Sequence, residues 1–320
     1  MNKEYIKNLI KYPISRTSRN YINNYQRNIK LIMTLLVKNE EEILETNIRY
    51  HKAMGVDGFI VTSHNSSDRT DEILEKLKQD GIVLEIIYEK DPAYHQNKFV
   101  DKMIKLAKYK YKADWIINAD ADEFYYSKSL NLKTNIKEAI RAGLNVIWTD
   151  SIFIFPDDKK NYLYDSNYFV TKPFQKFEAE HLGILDDEKF SEFIDSQGCT
   201  KVIHNTKDYK KIYMGNHDIK MKHNKKRMKT SDIVLYHYHI RNYKQQEEKV
   251  KRYIDTVMPQ GCGSHMLHMI ELYKQNKLRE NYDSYFGEEM RNFLIEEGVV
   301  SIDKSVSNFL KWKGIVNKYD

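Results

Sequence analysis

The stretch LIMTLLVKNEEEILETNIRYHKAMGVDGFIVT, residues 31–62, decides the fold because its hydrophobic period changes twice. It begins with the apolar run LIMTLLV, which predicts a strand that is covered on both faces. Leu44 and Ile48 then follow at helical spacing, and Gly55 ends that helix. The run GFIVT, residues 58–62, is a second short strand, so the stretch predicts a β-α-β unit.

The same alternation continues downstream. Further predicted strands are IVLEIIY (82–88), DWIIN (114–118), NVIWT (145–149) and DIVLYHYHI (232–240), with amphipathic helices between the first three. This order predicts an α/β fold with a mostly parallel sheet and helices on both sides. We predict three segments: an N-terminal extension at 1–28, the main α/β domain at 29–242 and a C-terminal helical appendage at 243–320.

The amino-acid composition predicts a cytoplasmic protein with a buried hydrophobic core. The chain has 320 residues, of which 41% are hydrophobic and 31% charged. No run approaches the roughly 18 apolar residues of a membrane span, and the N-terminus lacks the apolar segment of a secretory signal. The net charge of +6 is interspersed with acids, which suits anionic substrates or an anionic membrane surface and argues against nucleic acid.

Polar segments follow three of the predicted strands. They are KNE (38–40), SHNSSDRT (63–70) and ADADEF (119–124). Ligands of open α/β sheets bind beyond the carboxyl ends of the strands, so these segments should converge on one crevice. The chain has neither a GxxxxGK[ST] loop nor a GxGxxG fingerprint, which argues against P-loop and NAD chemistry.

Asp120 and Asp122 flank a single alanine directly after a buried strand. At a strand end, residues two apart point to the same side, so both carboxylates can reach one ion. Hard oxygen ligands with room left for phosphates suit Mg²⁺ or Mn²⁺. The alternative is that these acids cap the next element or pair with lysines.

These motifs resemble a known family. The segment VKNEEEILETNIRYHKAMGVDGFIVTSHNSSDRTDEIL, followed by ADWIINADADEF, is similar to the nucleotide-sugar-dependent glycosyltransferases of family 2. The blocks KVIHN (201–205), GNHDI (215–219) and HYHIRNYKQQEEKV (237–250) strengthen the resemblance. It implies a Rossmann-like GT-A fold for the main domain, with Asp120-Ala121-Asp122 as a DXD motif that holds Mn²⁺ or Mg²⁺ against a nucleoside-diphosphate sugar.

The resemblance also implies donor contacts and a further metal ligand. The candidate donor contacts are Asn39, Glu40, His64, Asp68, Lys98, Asp120 and Arg241. For Asp68 the sequence favours a role as the cap of the helix that follows it, which is compatible with a donor contact. The candidate metal ligands are Asp120, Asp122 and His237, with His217 and His239 as alternatives to His237.

The implied reaction is an inverting sugar transfer to a saccharide or lipid-linked acceptor, in surface polysaccharide biosynthesis. A carboxylate removes the proton of the acceptor hydroxyl, and the candidates are Asp187 and Asp150, with Asp186 and Asp218 as alternatives. The basic run at 220–229 is either a solvated loop or a contact with the inner membrane face. The rival functions are a nucleotidyltransferase and a non-catalytic nucleotide-sugar-binding protein.

Overall fold

The structure is a computed structural model that describes residues 28–91, 95–171, 200–223, 226–254 and 264–316. Its helices are α1 (Leu44–Ala53), α2 (Thr70–Gln79), α3 (Gln96–Tyr109), α4 (Leu132–Arg141), α5 (Tyr243–Ile254), α6 (Ser264–Lys274), α7 (Leu278–Phe286), α8 (Glu288–Glu296) and α9 (Ser305–Trp312). Its strands are β1 (Leu31–Val37), β2 (Gly58–His64), β3 (Val83–Glu89), β4 (Trp115–Ala119), β5 (Glu123–Ser127), β6 (Val146–Ile154), β7 (Tyr168–Val170), β8 (Thr200–Asn205), β9 (Tyr209–Ile212), β10 (Ile219–Met221), β11 (Arg227–Lys229), β12 (Ile233–His237) and β13 (Val300–Ile302).

The main sheet is mixed and mostly parallel, and the predicted fold class is confirmed. Its strand order is β13-β7-β6-β8-β4-β1-β2-β3, with β11 and β12 beside β6 and β5 beside β12. Strands β4, β1, β2 and β3 run parallel to one another. Strand β8 is antiparallel to both β4 and β6. The parallel half places the ends of β1, β2 and β4 at one edge of the sheet.

Strand β1 shows why helices cover both faces of the sheet. Met33 and Leu35 belong to the core that includes residues of α1 and α2, whereas Ile32 and Leu36 pack with residues of α3 on the opposite face. Every residue of β1 is buried, because successive side chains of a strand point to opposite sides. Each fully buried aliphatic side chain of this kind contributes about 1.5–3 kcal/mol to folding.

A two-stranded ribbon, β9 with β10, covers the outside of α3. Tyr209, Ile212, Ile219 and Met221 on its inner face are buried in the same core as the α3 side chains. A short 3₁₀ helix, Met214–Asn216, closes the ribbon. The sequence analysis predicts neither strand of this ribbon.

The C-terminal region is mostly helical, as predicted, and adds one strand to the sheet. Strand β13 pairs antiparallel with β7, and α9 packs Phe309 against Tyr50 of α1 with ring centroids 5.1 Å apart. Helices α7 and α8 of this region meet at Gly287. A Cβ at Gly287 would lie 2.5 Å from the Asp283 carbonyl oxygen, so a side chain does not fit this junction.

The predicted segment boundaries at residues 29 and 243 stay predictions, and residues 1–27 of the predicted extension lie outside the described part of the chain. None of the described helices combines the length and the apolar character needed to cross a membrane.

Candidate active site

The ends of three parallel strands and helix α5 enclose a cavity of about 360 Å³. The lining side chains come from the three segments that the topology predicts to converge, together with α3, β12 and α5. They are Leu36, Val37, Lys38, Glu40, His64, Gln96, Asp120, Ala121, Asp122, His237, Lys249, Arg252 and Tyr253. The cavity therefore combines carboxylates with cationic side chains, an arrangement that suits a charged ligand.

Asp122 and His237 face each other across the acidic turn. Strand β5 begins directly after this turn and pairs antiparallel with β12, so that Glu123 lies opposite His237. The backbone N–H of Tyr238 donates to the Asp122 carbonyl at 2.8 Å, which fixes the end of β12 against the turn. The Nε2 atom of His237 then lies 3.4 Å from Oδ1 of Asp122.

The two side chains shift each other's pKa. Burial alone would raise the pKa of Asp122, but His237, Lys249 and Arg241 together outweigh it and hold that pKa well below its usual value. Burial alone would lower the pKa of His237, but the Asp122 carboxylate outweighs it and raises that pKa. Each side chain thus favours the charged form of the other when no ion is bound, and a metal ion at this place would replace the proton on His237.

The two alternative histidines do not line this cavity. The His239 ring packs against Phe153 with centroids 4.4 Å apart, beyond the end of β12. His217 is exposed on the loop that closes the β9–β10 ribbon. The register of β12 thus brings His237 to Asp122 and into the wall of the cavity.

Lys201 is a site residue that the sequence analysis missed. It lies on β8, its side chain is 4% exposed, and its Nζ atom lies 3.2 Å from Oδ2 of Asp120 and 2.7 Å from Oε1 of Glu123. Burial alone would lower the pKa of Lys201, but Asp120 and Glu123 together raise it. Lys201 thus neutralises part of the acidic turn, as in the alternative that pairs these acids with lysines. No local pattern reveals this, because Lys201 and Asp120 are 81 residues apart.

The residues present fit a divalent ion with few protein ligands. Within the described chain, no cluster of three or more histidine, cysteine or acidic side chains is arranged to enclose a metal. Asp122 and His237 nevertheless place an oxygen and a nitrogen 3.4 Å apart, with side chains 14% and 20% exposed. Mg²⁺ and related ions in phosphate sites take one or two protein ligands and complete their shell with phosphate oxygens and water.

Glu40 reaches the cavity from the segment after β1, and Arg241 stands behind it. Arg241 is 3% exposed and contacts Oε2 of Glu40 at 3.5 Å and Oε2 of Glu42 at 3.3 Å. Burial raises the pKa of Glu40, although the Arg241 guanidinium opposes this rise. Arg241 does not line the cavity, so it orients Glu40.

Asn39 and Asp68 join the loops after β1 and β2 and do not line the cavity. Oδ1 of Asn39 accepts a hydrogen bond from the Ser67 backbone N–H at 2.7 Å. Asp68 accepts from the backbone N–H of Thr70 at 2.9 Å and from that of Glu41 at 3.1 Å. Asp68 therefore holds the backbone just before α2, whose N-cap residue is Arg69 and makes no side-chain capping bond.

His64 and Gln96 line the cavity on the side of β2 and α3. The Nε2 atom of His64 lies 2.7 Å from the Asp91 carbonyl oxygen, which fixes the ring. Oε1 of Gln96 accepts a hydrogen bond from the Gly215 backbone N–H at 3.0 Å. This bond ties the end of the β9–β10 ribbon to the rim of the cavity.

Helix α5 contributes two cationic side chains to the wall of the cavity. Lys249 and Arg252 both line the cavity. Nη1 of Arg252 donates to the carbonyl oxygens of Lys38 and Asn39, each at 3.0 Å, and so anchors α5 to the segment after β1. The first turns of the predicted appendage thus complete the site of the main domain.

Two further candidates, Lys98 and Asp150, also lie outside the cavity lining. Lys98 lies on a separate surface depression beside Asp101. Asp150 is exposed on β6, opposite Thr200, and is not part of the cavity wall. Asp187 and the alternative Asp186 lie outside the described residues.

The fold and the site together define an α/β protein whose charged crevice lies at the carboxyl ends of parallel strands. The profile of glycosyltransferase family 92 matches residues 33–266, and the chain belongs to that family. The protein is a glycosyltransferase with a mixed, mostly parallel sheet flanked by helices. The matching family is family 92, whereas the sequence motifs resemble family 2.

Solved glycosyltransferase structures show distant similarity. The crystal structure of S. aureus TarS 1-349 is 12% identical, with a TM-score of 0.43, and the match covers 83% of this chain and 74% of that chain. Against the crystal structure of S. aureus TarS, the match covers 45% of that chain. Glucosyl-3-phosphoglycerate synthase from Mycobacterium tuberculosis, in complex with Mn²⁺, uridine diphosphate and phosphoglyceric acid, is 13% identical with a TM-score of 0.32, and the match covers 57% of each chain. No curated protein matches the sequence significantly.

Proposed function

We propose that this glycosyltransferase moves a sugar from a nucleoside-diphosphate sugar to a saccharide or lipid-linked acceptor, with a divalent ion at Asp122 and His237. The observation that carries the proposal is the 3.4 Å contact between these two side chains, on a cavity that Lys38, Lys249 and Arg252 also line. Oxygen and nitrogen ligands beside several cations suit a diphosphate and its counter-ion.

The residues of the cavity divide the work of donor binding. Asp122 and the neutral form of His237 would hold Mn²⁺ or Mg²⁺, which when bound would neutralise charge on the diphosphate leaving group. Lys249 and Arg252 face the same space and attract the phosphates. Lys201 holds Asp120, and Arg241 holds Glu40. These two carboxylates would contact the ribose or the base of the donor.

The proposed transfer inverts the anomeric centre. A bond forms between the acceptor oxygen and the anomeric carbon, while the bond to the phosphate oxygen breaks and its electron pair stays on the diphosphate. The hydroxyl proton goes to a carboxylate, for which Asp187 stays the predicted group and Asp150 the alternative. We also propose donor contacts with His64, Asn39 and Asp68, a cytoplasmic location and a role in surface polysaccharide biosynthesis, whereas Lys98 lies away from the donor cavity.

The test is a panel of nucleotide sugars measured by thermal shift, with and without Mn²⁺. The true donor should raise the unfolding temperature by mass action, and the rise should be larger with the ion. The Asp122→Asn variant should lose the ion-dependent part of the shift and lower transfer by at least about a hundredfold, as expected when a group that stabilises the leaving charge is removed. Asp232→Asn, an exposed acid paired with Lys128, is the matched control.

The two rival functions predict different products. A nucleotidyltransferase would release pyrophosphate when given a nucleoside triphosphate, and a binding protein would show the thermal shift without releasing any nucleoside diphosphate. An Asp122→Asn variant that keeps the ion-dependent shift would contradict the proposed site.

A further inference from the structure

The β9–β10 ribbon exposes a cationic face that has no acidic partner in the described chain. Lys210 and Lys211 of β9, and Lys220 and Lys222 at β10, are exposed. Lys211 lies directly opposite Lys220 in the antiparallel register. Like charges opposite each other destabilise a strand pair, and none of these four lysines takes part in an ion pair among the described residues. The arrangement therefore costs the folded chain stability unless an anion covers it.

The tip of the same ribbon is apolar and exposed. Tyr213 is 43% exposed and Met214 is 63% exposed, and both stand where the ribbon turns. Nζ of Lys211 lies 5.6 Å from the centroid of the Tyr213 ring, so charge and apolar surface are contiguous. A tyrosine and a methionine surrounded by lysines are suited to a membrane interface, where rings enter the headgroup region and ammonium groups bind anionic headgroups.

The β9–β10 ribbon is fixed to the main domain by packing and by a hydrogen bond. Ile219 and Met221 are buried against α3 on the inner face, which leaves Lys220 between them on the outer face. At the tip, Gly215 has a φ of 71°, a backbone conformation that favours glycine, and a Cβ there would contact the His217 ring. The tip is also tied to Gln96 at the cavity rim.

We infer that the outer face and tip of the β9–β10 ribbon form a docking surface for an anionic lipid bilayer. Lys211 and Lys220 bind the headgroups, and Tyr213 and Met214 enter the interface. Docking in this way turns the Gln96 side of the cavity toward the bilayer. That orientation favours a lipid-linked acceptor, a consequence that rests on the proposed sugar transfer, whereas the docking itself does not.

Vesicle binding of the full chain tests the inference without any donor or acceptor. Co-sedimentation is measured with phosphatidylcholine vesicles and with vesicles that also contain phosphatidylglycerol. We expect binding only to the anionic vesicles, weakened by salt because exposed charges are screened. The double variant Lys211→Gln/Lys220→Gln should lower the partition coefficient by at least about tenfold, since each lysine near an anionic surface contributes to binding.

A matched control separates a local surface from net charge. The double variant Lys274→Gln/Lys277→Gln removes the same charge from two exposed positions at the end of α6 and beyond it, and it should bind like the unmodified chain. Tyr213→Ser/Met214→Ser should lower binding severalfold while leaving the thermal unfolding temperature unchanged, because these side chains are exposed.

Three results would overturn the inference. The first is equal or negligible binding to neutral and anionic vesicles. The second is the same loss in the control variant as in Lys211→Gln/Lys220→Gln. The third is displacement by soluble polyphosphate together with full vesicle binding by Tyr213→Ser/Met214→Ser, which would identify a site for a soluble polyanion. Because no donor is present, failure here leaves the proposed sugar transfer untouched, and a failed donor screen leaves the docking surface untouched.

Discussion

At the scale of single residues, Lys201 neutralises part of the negative charge of the acidic turn. Its ammonium group is almost completely buried between Asp120 and Glu123, and Glu123 is fully buried. A buried carboxylate is tolerated only with a charge partner or with a proton. Burial raises the pKa of Glu123, and Lys201 opposes that rise. Lys201 is therefore a positioning residue that keeps Asp120 and Glu123 in place beside the cavity.

Replacing Lys201 with methionine should strongly destabilise the fold. The change leaves two carboxylates without their cation, and breaking a buried ion pair on one side costs about 3–5 kcal/mol. Urea denaturation of the variant measures the loss in the free energy of unfolding. In the double variant Lys201→Met/Glu123→Gln the buried charge is also removed, so part of that loss should be recovered. Strictly additive costs in the two single variants would show that the pair is not coupled.

At the scale of secondary-structure elements, His51 joins α1 to β5. Its Nδ1–H donates to the Asn47 carbonyl at 2.9 Å, and its Nε2 accepts from the Tyr125 backbone N–H at 3.0 Å. Both bonds need the neutral ring in this one tautomer. Burial lowers the pKa of His51 from 6.5 to about 3. The connection therefore holds the strand that follows the acidic turn only while His51 is uncharged.

This connection predicts an acid-sensitive fold. Above pH 6.5 the ring is neutral in both the folded and the unfolded chain, so the contribution of His51 to stability is fully present. As the pH falls from 6.5 toward 3, only the unfolded chain takes up the proton, and stability is lost at about 1.4 kcal/mol per pH unit. His51→Gln should be less stable at pH 7 but should lose stability less steeply on acidification. Urea denaturation at pH 7, 6 and 5 measures both slopes, and parallel slopes would refute the assignment.

At the scale of the whole molecule, the C-terminal region is joined to the main sheet at two places. Strand β13 extends the sheet beside β7, and Val306, Phe309 and Leu310 of α9 belong to the same core as β1. The site spans the predicted boundary as well, because α5 lines the cavity. Cavity and C-terminal region should therefore unfold together.

Phe309→Ala tests this joint stability. The ring is 3% exposed, so its removal should lower the free energy of unfolding by about 3–5 kcal/mol. Far-UV circular dichroism and tryptophan fluorescence should give coincident transitions. Trp312→Ala, in the same helix but 63% exposed, should cost less than about 1 kcal/mol. An early, separate transition in Phe309→Ala would show that the C-terminal region unfolds independently.

Sequence periodicity by itself determined the α/β class, the strands β1 to β4 and the edge where the acidic turn lies. Long apolar runs and helical stripes are local patterns, and the direction of parallel strands then places their carboxyl ends together. The short strands β7, β10 and β13 have three residues each, too few for a local pattern, so only their partners define them.

Only the tertiary structure decided which side chains meet. The pairing of β5 with β12 brings His237 into contact with Asp122. Strand β8 brings Lys201 to Asp120, which is 81 residues away in the sequence. The register of the β9–β10 ribbon likewise sets Lys211 against Lys220. The physical reason is that a contact between distant segments depends on strand register and direction, and these follow from the packing of the whole sheet.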